Sequence, residues 1–432
     1  MVLKDYKQRI LSYLKTDVTW TYDEIVNALR NPFLKPRFKI VILNPDETEV
    51  TEIDECDIVE GSISYNEKYQ KGERRSLSFT LINKHGKYTP SSNIKNIRYI
   101  NNGEEKNVKN LITRELWADT LFAYYVGFEY LGKECWFKKC VYIINNISIT
   151  GDSEQTIAFS LSDKFAKFTG KQGVLMDTYE VPVGSNGIRV IKDLLNMSNG
   201  NGYNFDIQPF IYDSRFADFK IQASIQKESG DTISSIIDDI ATQMSANYYY
   251  NDNGNFVFEY LDETINDNMK TICWTFSEEH NELFNLNMEF DFTNAINIVK
   301  VVGDNVDKGI YSALVVNNDP RSPICTGRIG NRKEPPITNC NVWNDNMARE
   351  LGIYHLRKKS LLPLSLNGNC KFNPFLQVDK LCIVNYEQLN YQNEKCILHS
   401  FSYNSNDFKM SIQMTNVQDL DFLRAGSEYN GI

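Results

Sequence analysis

RRSLSFTLINKHGKYTP, residues 74–90, decides the class of the fold. Leu77, Phe79 and Leu81 alternate with small hydroxyl residues, and this period of two is typical of a strand that buries one face. The segment KHGKYTP follows, and its glycine and proline are typical of a turn. We therefore predict a half-buried strand that ends in a turn. The basic pair Arg74 and Arg75 opens the strand, and it raises the question of which surface these side chains face.

Similar alternating runs fill two further parts of the chain. Those between residues 37 and 170 are FKIVIL, DIVEGSISY, TLFAYYVGFEY, CVYIINNISIT and EQTIAFSLSD. Those after residue 266 are CWTFS, LNMEFDFTNAINIVKVVG, IYSALVVNND, LLPLSLNG, DKLCIV and KCILHSFSYNSNDFKMSIQMTNV. Gly, Asn, Pro and Asp separate the runs, so the first part is predicted to be an antiparallel β-barrel or sandwich, with the polar stretch 91–110 as an excursion from it, and the second part is again predicted to be sheet.

The period changes to about 3.6 residues between the two strand-rich parts. GSNGIRVIKDLLNMSNG and GDTISSIIDDIATQMSAN each carry an apolar stripe, with Ser185 and Asp231 as the expected helix caps. ANYYYNDNGNFVFEYLD then predicts two strands joined by a turn at Asn253 and Gly254. These elements predict a small α/β domain.

Helical patterns also occur at the start of the chain and near its end. Two short helices, around residues 6–14 and 22–29, precede Pro32 and Pro36. They predict an arm that docks either on a neighbouring molecule or on its own chain. A later helix, NDNMARELGIYHLRKKS, has Asn344 as its expected cap.

The overall prediction is a mainly β protein of α+β type, with two antiparallel β-barrels flanking a small α/β domain. Its units are a helical arm (1–36), a first β-barrel (37–170), a helix-plus-hairpin domain (171–265) and a second β-barrel with one helix (266–432).

Composition limits the classes of function. The chain has 432 residues, 42% hydrophobic and 24% charged, which indicates a folded protein of several domains. Its formal net charge of −10 argues against sequence-specific binding of duplex nucleic acid. The first residues lack the features of a signal peptide, and no apolar run approaches the about 18 residues of a membrane helix, so we expect cytoplasmic assembly and no membrane segment.

Histidines and cysteines offer few candidates for chemistry. His85 precedes Gly86 in a predicted turn without a G-x-S-x-G nucleophile motif nearby, so we expect a solvated side chain. His355 and His399 lack the spacing of metal ligands. Cys135 and Cys140 are the closest pair among nine cysteines, and we expect reduced thiols rather than a zinc site.

Charged and aromatic residues leave two alternatives open. Acidic pairs such as Asp238 and Asp239 could serve a glycosidase, although most acidic pairs are solvated. Arg328, Arg332 and Lys333 form the best basic cluster, in a proline-rich loop that favours a protein contact or a solvated tip. Aromatic residues make up 12%, which suits either sugar binding or cross-strand pairs in a core. We predict no catalytic, cofactor-binding or metal-binding residues, and no cofactor.

The order of these units resembles the central baseplate hub proteins of phage tails and phage-tail-like particles. The resemblance covers residues 38–417, is carried by the ordered set rather than by any single motif, and includes no catalytic residue. Its matching segments are GERRSLSFTLINKHGKYTPSS, DTISSIIDDIATQMSANYYYNDNGNFVFEYLD, FDFTNAINIVKVVGDN and ARELGIYHLRKKSLLPLSLNGNCKFNPFLQVDKLCIV.

The resemblance implies a homotrimer. With two similar barrels per chain, three chains provide six similar positions, so the trimer can join a six-fold tail tube to a three-fold spike around a central channel. The implied partners are the tail tube protein, the tail spike, the tape-measure protein and other baseplate proteins, in a virion tail baseplate. Many hubs continue into a wall-degrading domain, and the chain ends soon after its last hairpin, so we expect no enzyme. A peptidoglycan-cleaving tail-tip enzyme and a carbohydrate-binding adsorption protein are the alternatives.

Overall fold

The computed structural model describes most of the chain. The described residues are 20–31, 34–90, 96–101, 104–109, 116, 118–151, 155–198, 202–244, 246–260, 270–277, 282–290, 293–305, 309–320, 322, 324–339, 342, 344–360, 364–406 and 409–417. The first predicted helix of the arm lies outside them.

Helices and strands follow one another in the order strand-rich, mixed, strand-rich. The described helices are α1 (Tyr22–Arg30), α2 (Ala166–Thr169), α3 (Gly187–Leu195), α4 (Ile233–Gln243), α5 (Thr326–Ile329) and α6 (Asp345–Ser360). The strands up to residue 170 are β1 (Pro36–Leu43), β2 (Glu49–Glu52), β3 (Ser64–Lys68), β4 (Arg75–Ile82), β5 (Asn96–Asn101), β6 (Glu104–Lys109), β7 (Leu121–Tyr130), β8 (Lys133–Thr150) and β9 (Thr156–Asp163). The middle strands are β10 (Tyr179–Val181), β11 (Ile211–Tyr212), β12 (Ile225–Lys227), β13 (Ala246–Tyr250) and β14 (Phe256–Tyr260). The later strands are β15 (Ile272–Phe276), β16 (Leu283–Phe290), β17 (Ile298–Asn305), β18 (Gly309–Val316), β19 (Ile337–Thr338), β20 (Leu364–Lys371), β21 (Leu381–Tyr386), β22 (Tyr391–Asn404) and β23 (Lys409–Asn416).

One large sheet joins strands of both predicted barrels. Its 13 strands include the path β16-β20-β23-β22-β3-β4-β9-β8-β7-β1-β2, with β21 beside β22 and β15 parallel to β21. The link is the antiparallel pair β3–β22, where Asn66 lies opposite Ser402. The path ends at β16 and β2, and no closed barrel forms among the described strands. The mainly β class with a large antiparallel sheet is confirmed, and the division into domains stays a prediction.

Smaller sheets complete the fold. The middle residues form the pair β10–β12 and the sheet β11-β14-β13, and α3 and α4 bury their apolar stripes beside them. The sheet β18-β17-β19 packs against α6 through Val299, Val301, Ala313, Val315, Ala348 and Leu356. The hairpin β5–β6 forms a sheet of its own, in agreement with the predicted excursion.

The strand predicted in residues 74–90 is confirmed as β4. Leu77, Phe79 and Leu81 are at most 1% exposed, and the side chains between them face outward. Cross-strand aromatic pairs fill the core beneath: Phe79 stacks on Phe159 at 4.9 Å, and Tyr65 stacks on Tyr403 at 4.9 Å between ring centroids. Much of the aromatic content therefore serves the core, at about 0.5–1.5 kcal/mol per pair beyond burial.

The helix α1 packs on its own chain. Thr21 and Glu24 form a capping box at its start, and Ile25 is fully buried in the main core. Lys133 Nζ donates to Glu24 Oε1 at 2.7 Å, and Trp20 Nε1 donates to the Glu134 carbonyl at 3.1 Å. The described part of the arm therefore packs on its own chain.

Three local predictions are corrected. Asn186, rather than Ser185, caps α3, because its side chain accepts the Arg189 N–H at 2.9 Å. Asp231 does not cap α4: its carboxylate accepts the Glu228 N–H within the preceding turn. Only the end of DIVEGSISY becomes strand, since a turn with Gly61 at φ +73° precedes β3. The predicted cap Asn344 is confirmed by its bond from Met347 N–H at 2.8 Å.

Candidate functional site

Arg75 points into its own molecule. Its side chain is 4% exposed at the start of β4, where Nη2 donates to Glu67 Oε1 at 2.9 Å and to Asp252 Oδ1 at 2.8 Å. Nη1 donates to the carbonyl of Tyr250. Asp252 lies in the turn between β13 and β14, so the guanidinium group joins the large sheet to the middle hairpin.

Arg74 lies on the same internal boundary. Its guanidinium carbon is 3.5 Å from the ring centroid of Tyr249, a cation–π contact, and Nε donates to the Gln70 carbonyl at 2.8 Å. The side chains of both arginines are therefore occupied by contacts within this chain.

Lys164 forms a second buried cluster at this boundary. Its fully buried Nζ donates to Asp206 Oδ1 at 2.7 Å, to the Gly254 carbonyl at 2.9 Å and to Glu47. The Tyr250 hydroxyl donates to the other oxygen of Asp206 at 2.9 Å. An ammonium group removed from water is costly unless it is paired and hydrogen-bonded, and here it is both.

Burial shifts the pKa of two neighbouring groups. Burial raises the pKa of the Asp163 carboxyl to about 6, although it accepts backbone N–H groups of Arg74, Arg75 and Phe165. Burial lowers the pKa of Lys167 to about 8. Desolvation disfavours the charged form in both cases, so the shifts run in opposite directions.

We call the set Glu47, Glu67, Arg75, Lys164, Asp206 and Asp252 the ionic junction. Asp252 is its centre, because its second oxygen accepts from Gln377 Nε2 at 3.3 Å and lies 3.8 Å from Lys139 Nζ. One turn thus contacts strands β4 and β8, which precede it in sequence, and the loop between β20 and β21, which follows it. The geometry holds parts of the chain together, and each acid has a partner that the chain itself supplies.

The outward side of the large sheet carries a second notable surface. Many of its exposed and half-exposed side chains over eight neighbouring strands are amides and hydroxyls, although charged and apolar side chains such as Lys68, Ala158 and Leu286 also occur on these strands. We call this surface the neutral face, and its central residues are Asn285, Asn287, Asn367, Asn369, Ser411, Gln413, Ser400, Ser402, Ser64, Asn66, Ser76, Ser78, Ser160, Asn146 and Ser148.

Strand register makes the neutral face continuous. One row runs across five strands through Asn369, Ser411, Ser402, Asn66 and Ser76, each directly opposite the next. An open groove of about 450 Å³ crosses it. Charged side chains occur at the ends of these strands, as in Lys68, Lys371, Lys409 and Glu289. The centre of the surface is hydrophilic without carrying charge.

Neither the ionic junction nor the neutral face can be predicted from local sequence, for the same reason in both cases. Alternating Ser, Asn and Thr residues were visible in single strands, but only the pairing of distant strands shows that they form one surface. Likewise, no local pattern distinguishes a buried Lys164 or Asp252 from a solvated one.

The histidine candidates do not come together. His85 lies in a short turn at residues 84–86, directly after β4. His355 lies within α6 and His399 within β22, where its carbonyl accepts the Tyr69 N–H at 2.7 Å. These three histidines lie on different elements.

The acidic pair and the basic cluster are also separate. Asp238 accepts the Tyr248 hydroxyl at 3.3 Å, and Asp239 pairs with Lys227 at 2.8 Å. Arg328 donates to the Pro320 carbonyl at 3.0 Å, and the exposed Arg332 and Lys333 follow in the same loop. The loop contains the short helix α5 and the strand β19, which the sequence did not predict.

Among the described cysteines only Cys56 is exposed. Cys135 and Cys140 are buried on β8, and burial raises the pKa of Cys140 to about 12. No group of three or more His, Cys, Asp or Glu within the described ranges could hold a metal ion. The helices described above include none that is both long and apolar enough to cross a bilayer.

Comparison with solved structures finds the same fold in other proteins, of which three are described here. The 43 kDa tail protein of prophage MuSo2 from Shewanella oneidensis matches with a TM-score of 0.53 at 13% identity, over 88% of this chain and 98% of that one. The tail protein from Neisseria meningitidis MC58 gives 0.54 at 10% identity, over 88% and 97%. A chain of the lidded Francisella PdpA-VgrG complex gives 0.51 at 11% identity, over 93% and 57%.

In the comparisons of sequence, no family model and no curated protein matches the chain. The structural matches include nearly the whole length of both tail proteins. The predicted resemblance is therefore confirmed at the level of the fold, and the chain has the fold of phage tail proteins and of a chain from a VgrG complex.

Proposed function

We propose that the chain is a structural hub of a phage tail or phage-tail-like particle. In this proposal three copies form a ring that joins a six-fold tail tube to a three-fold spike and encloses the central passage. Its partners are the tube protein, the spike, the tape-measure protein and other baseplate proteins. It is assembled in the bacterial cytoplasm and acts in the virion tail without a catalytic site or cofactor. The fold shared with two tail proteins supports a structural part of a tail.

The neutral face is the observation that carries the proposal of a passage. Protein affinity for DNA comes largely from Lys and Arg on phosphates, so a surface whose centre lacks them does not hold a moving duplex. The tight anchors of protein interfaces are enriched in Trp, Tyr and Arg, which the centre of this surface also lacks. We propose that the neutral face lines the passage and contacts DNA without adhering to it.

Mass photometry tests the oligomeric part of this function. The purified chain is measured alone and with the tube protein of the same particle, and a species of three chains is expected in at least one condition. A chain that stays monomeric in both conditions contradicts the ring.

Thiol labelling tests the position of the neutral face. Asn66→Cys is made in a Cys56→Ser background, and the free chain serves as the control in which both a small maleimide and a maleimide on a large polymer react. In the assembled particle the small reagent should still react, while the large one should not. Reaction with the large reagent places the face outside the particle, and reaction with neither places it in a subunit contact.

A further inference from the structure

Two buried thiols from different strands lie in contact. The Sγ atoms of Cys273 on β15 and Cys382 on β21 are 3.5 Å apart, although the two residues are 109 positions apart in the chain. Cys273 is 6% exposed and Cys382 is fully buried. The contact lies where β15 joins the large sheet, next to an irregularity in the register of β15 with β21.

The thiol environment makes the two cysteines unequal. The hydrogen bond between the two thiols lowers the pKa of Cys273 and raises the pKa of Cys382. Cys273 is therefore the better nucleophile of the two, because the thiolate is the reactive form. Cys396 lies opposite Cys382 in the pair β21–β22, and it offers a competing thiol.

We propose that Cys273 and Cys382 are a site of oxidative cross-linking that forms a disulfide when the protein meets a small peroxide. In the first step the Cys273 thiolate attacks one peroxide oxygen, the O–O bond breaks, and a sulfenic acid and hydroxide result. In the second step the Cys382 sulfur displaces the sulfenic hydroxyl and forms the S–S bond. The leaving hydroxide takes up the thiol proton, so two thiols and one hydrogen peroxide give one disulfide and two waters.

Formation of the disulfide requires a small movement of the two sulfurs. The sulfurs must approach from 3.5 Å to about 2.05 Å, which side-chain rotation and a slight shift of strand β15 can supply. A peroxide is small enough to reach a buried thiol that larger disulfide reagents do not reach.

The disulfide would hold strand β15 covalently in the sheet. Among the described strands β15 pairs only with β21, and the cross-link ties it covalently across a long stretch of chain. Closing a long loop restricts the unfolded chain and so stabilises the folded one. Thiols stay reduced in a cytoplasm, so a chain made in that compartment would form the bond only after leaving it. This inference does not depend on the proposed function.

Peptide mapping tests the proposal on the full unmodified chain. The reduced protein is treated with hydrogen peroxide, alkylated in denaturant without reductant, digested and analysed by mass spectrometry. A linked peptide pair that contains Cys273 and Cys382 is expected, together with a higher melting temperature that returns to the original value on reduction. A map that shows both thiols alkylated overturns the proposal.

Variants separate this pair from its competitor. Cys396→Ser should keep both the cross-link and the rise in melting temperature, whereas Cys273→Ala should lose both. A link between Cys382 and Cys396 in the unmodified protein would also overturn the proposal, and Cys396→Ser would then abolish it. Oxidation of the exposed Cys56 serves as the internal control that peroxide has acted.

Discussion

Arg75 and Asp252, 177 positions apart, form a buried salt bridge in which Nη2 lies 2.8 Å from Oδ1. The first residue opens a strand of the large sheet, and the second lies in the turn of the middle hairpin. Their contact shows that the boundary between the predicted domains is held by charge as well as by apolar packing.

Asp252→Ala should destabilise the protein strongly. The change leaves the Arg75 cation buried with one acid fewer, and breaking a buried pair costs about 3–5 kcal/mol. Urea unfolding measures the loss of free energy. Asp213→Ala is the matched control, since its salt bridge with Arg215 at 2.6 Å involves a half-exposed arginine and such a surface pair is worth about 0–1 kcal/mol. Equal losses in the two variants would contradict the ionic junction as a buried anchor.

Lys164→Met should also destabilise the fold, by about 3–5 kcal/mol, because Glu47 and Asp206 then lose the cation between them. Methionine keeps the length and apolar part of the side chain. The control is Lys227→Met at the partly exposed pair with Asp239. In denaturant unfolding, the loss in free energy of unfolding should be several-fold larger for Lys164→Met than for Lys227→Met. If Lys164→Met loses no more than the control, the two acids do not need this cation.

Asp163 predicts a pH dependence with a defined sign. Its pKa rises from 3.8 to about 6 on folding, so the folded chain binds this proton more tightly than the unfolded chain does. The contribution of Asp163 to stability therefore falls as pH rises from about 4 to about 6, by ~2–3 kcal/mol in total.

Comparison with Asp163→Asn isolates this contribution. The free energy of unfolding of the native protein minus that of the variant should decrease between pH 4 and pH 6 in urea titrations. Asp213→Asn provides the opposite sign in a lower pH range: the hydrogen bond from Arg215 lowers the pKa of Asp213 below 3.8 in the folded state, so its contribution to stability is lost as pH falls below about 4. A difference that stays constant with pH for Asp163→Asn would show that its carboxyl does not titrate in this range.

Gly254→Ala should weaken the hairpin that carries Asp252. Gly254 has φ +84°, and an added Cβ would lie 2.9 Å from Val141 Cγ2, so both backbone strain and a close contact oppose the change. We expect a loss of about 1–3 kcal/mol by thermal or urea unfolding. Gly132→Ala has a similar φ of +73° in open space and separates the two effects. The proposal of a clash fails if both variants lose the same amount.

The sequence predicted what local patterns determine. The alternation at Leu77, Phe79 and Leu81 identified β4, and the isoleucine stripe identified α4. The residue that caps α3 could not be predicted as well, because Ser185 and Asn186 are adjacent and both residue types can cap a helix. The residue at which the helical backbone begins determines that Asn186 is the cap.

Long-range features could not be predicted in this way. Arg75 has no nearby residue in sequence that marks it as buried, because Asp252 becomes its partner only when the middle hairpin docks. The pairing of Asn66 with Ser402 likewise follows from the register of β3 with β22, which no local period encodes. The neutral face was therefore present in the sequence as fragments without their arrangement.

The pairing of β3 with β22 also determines how early the large sheet can form during synthesis. At this seam the Ile63 N–H donates to Ser405 Oγ across 342 positions of the chain. A ribosome that adds about 5–20 residues per second needs on the order of 20–70 seconds to make that stretch. Throughout that time the nascent β3 has an edge whose final neighbour does not yet exist. The interval exposes it to pairing with other nascent chains, so the rate of translation and the supply of chaperones should control the yield of this protein.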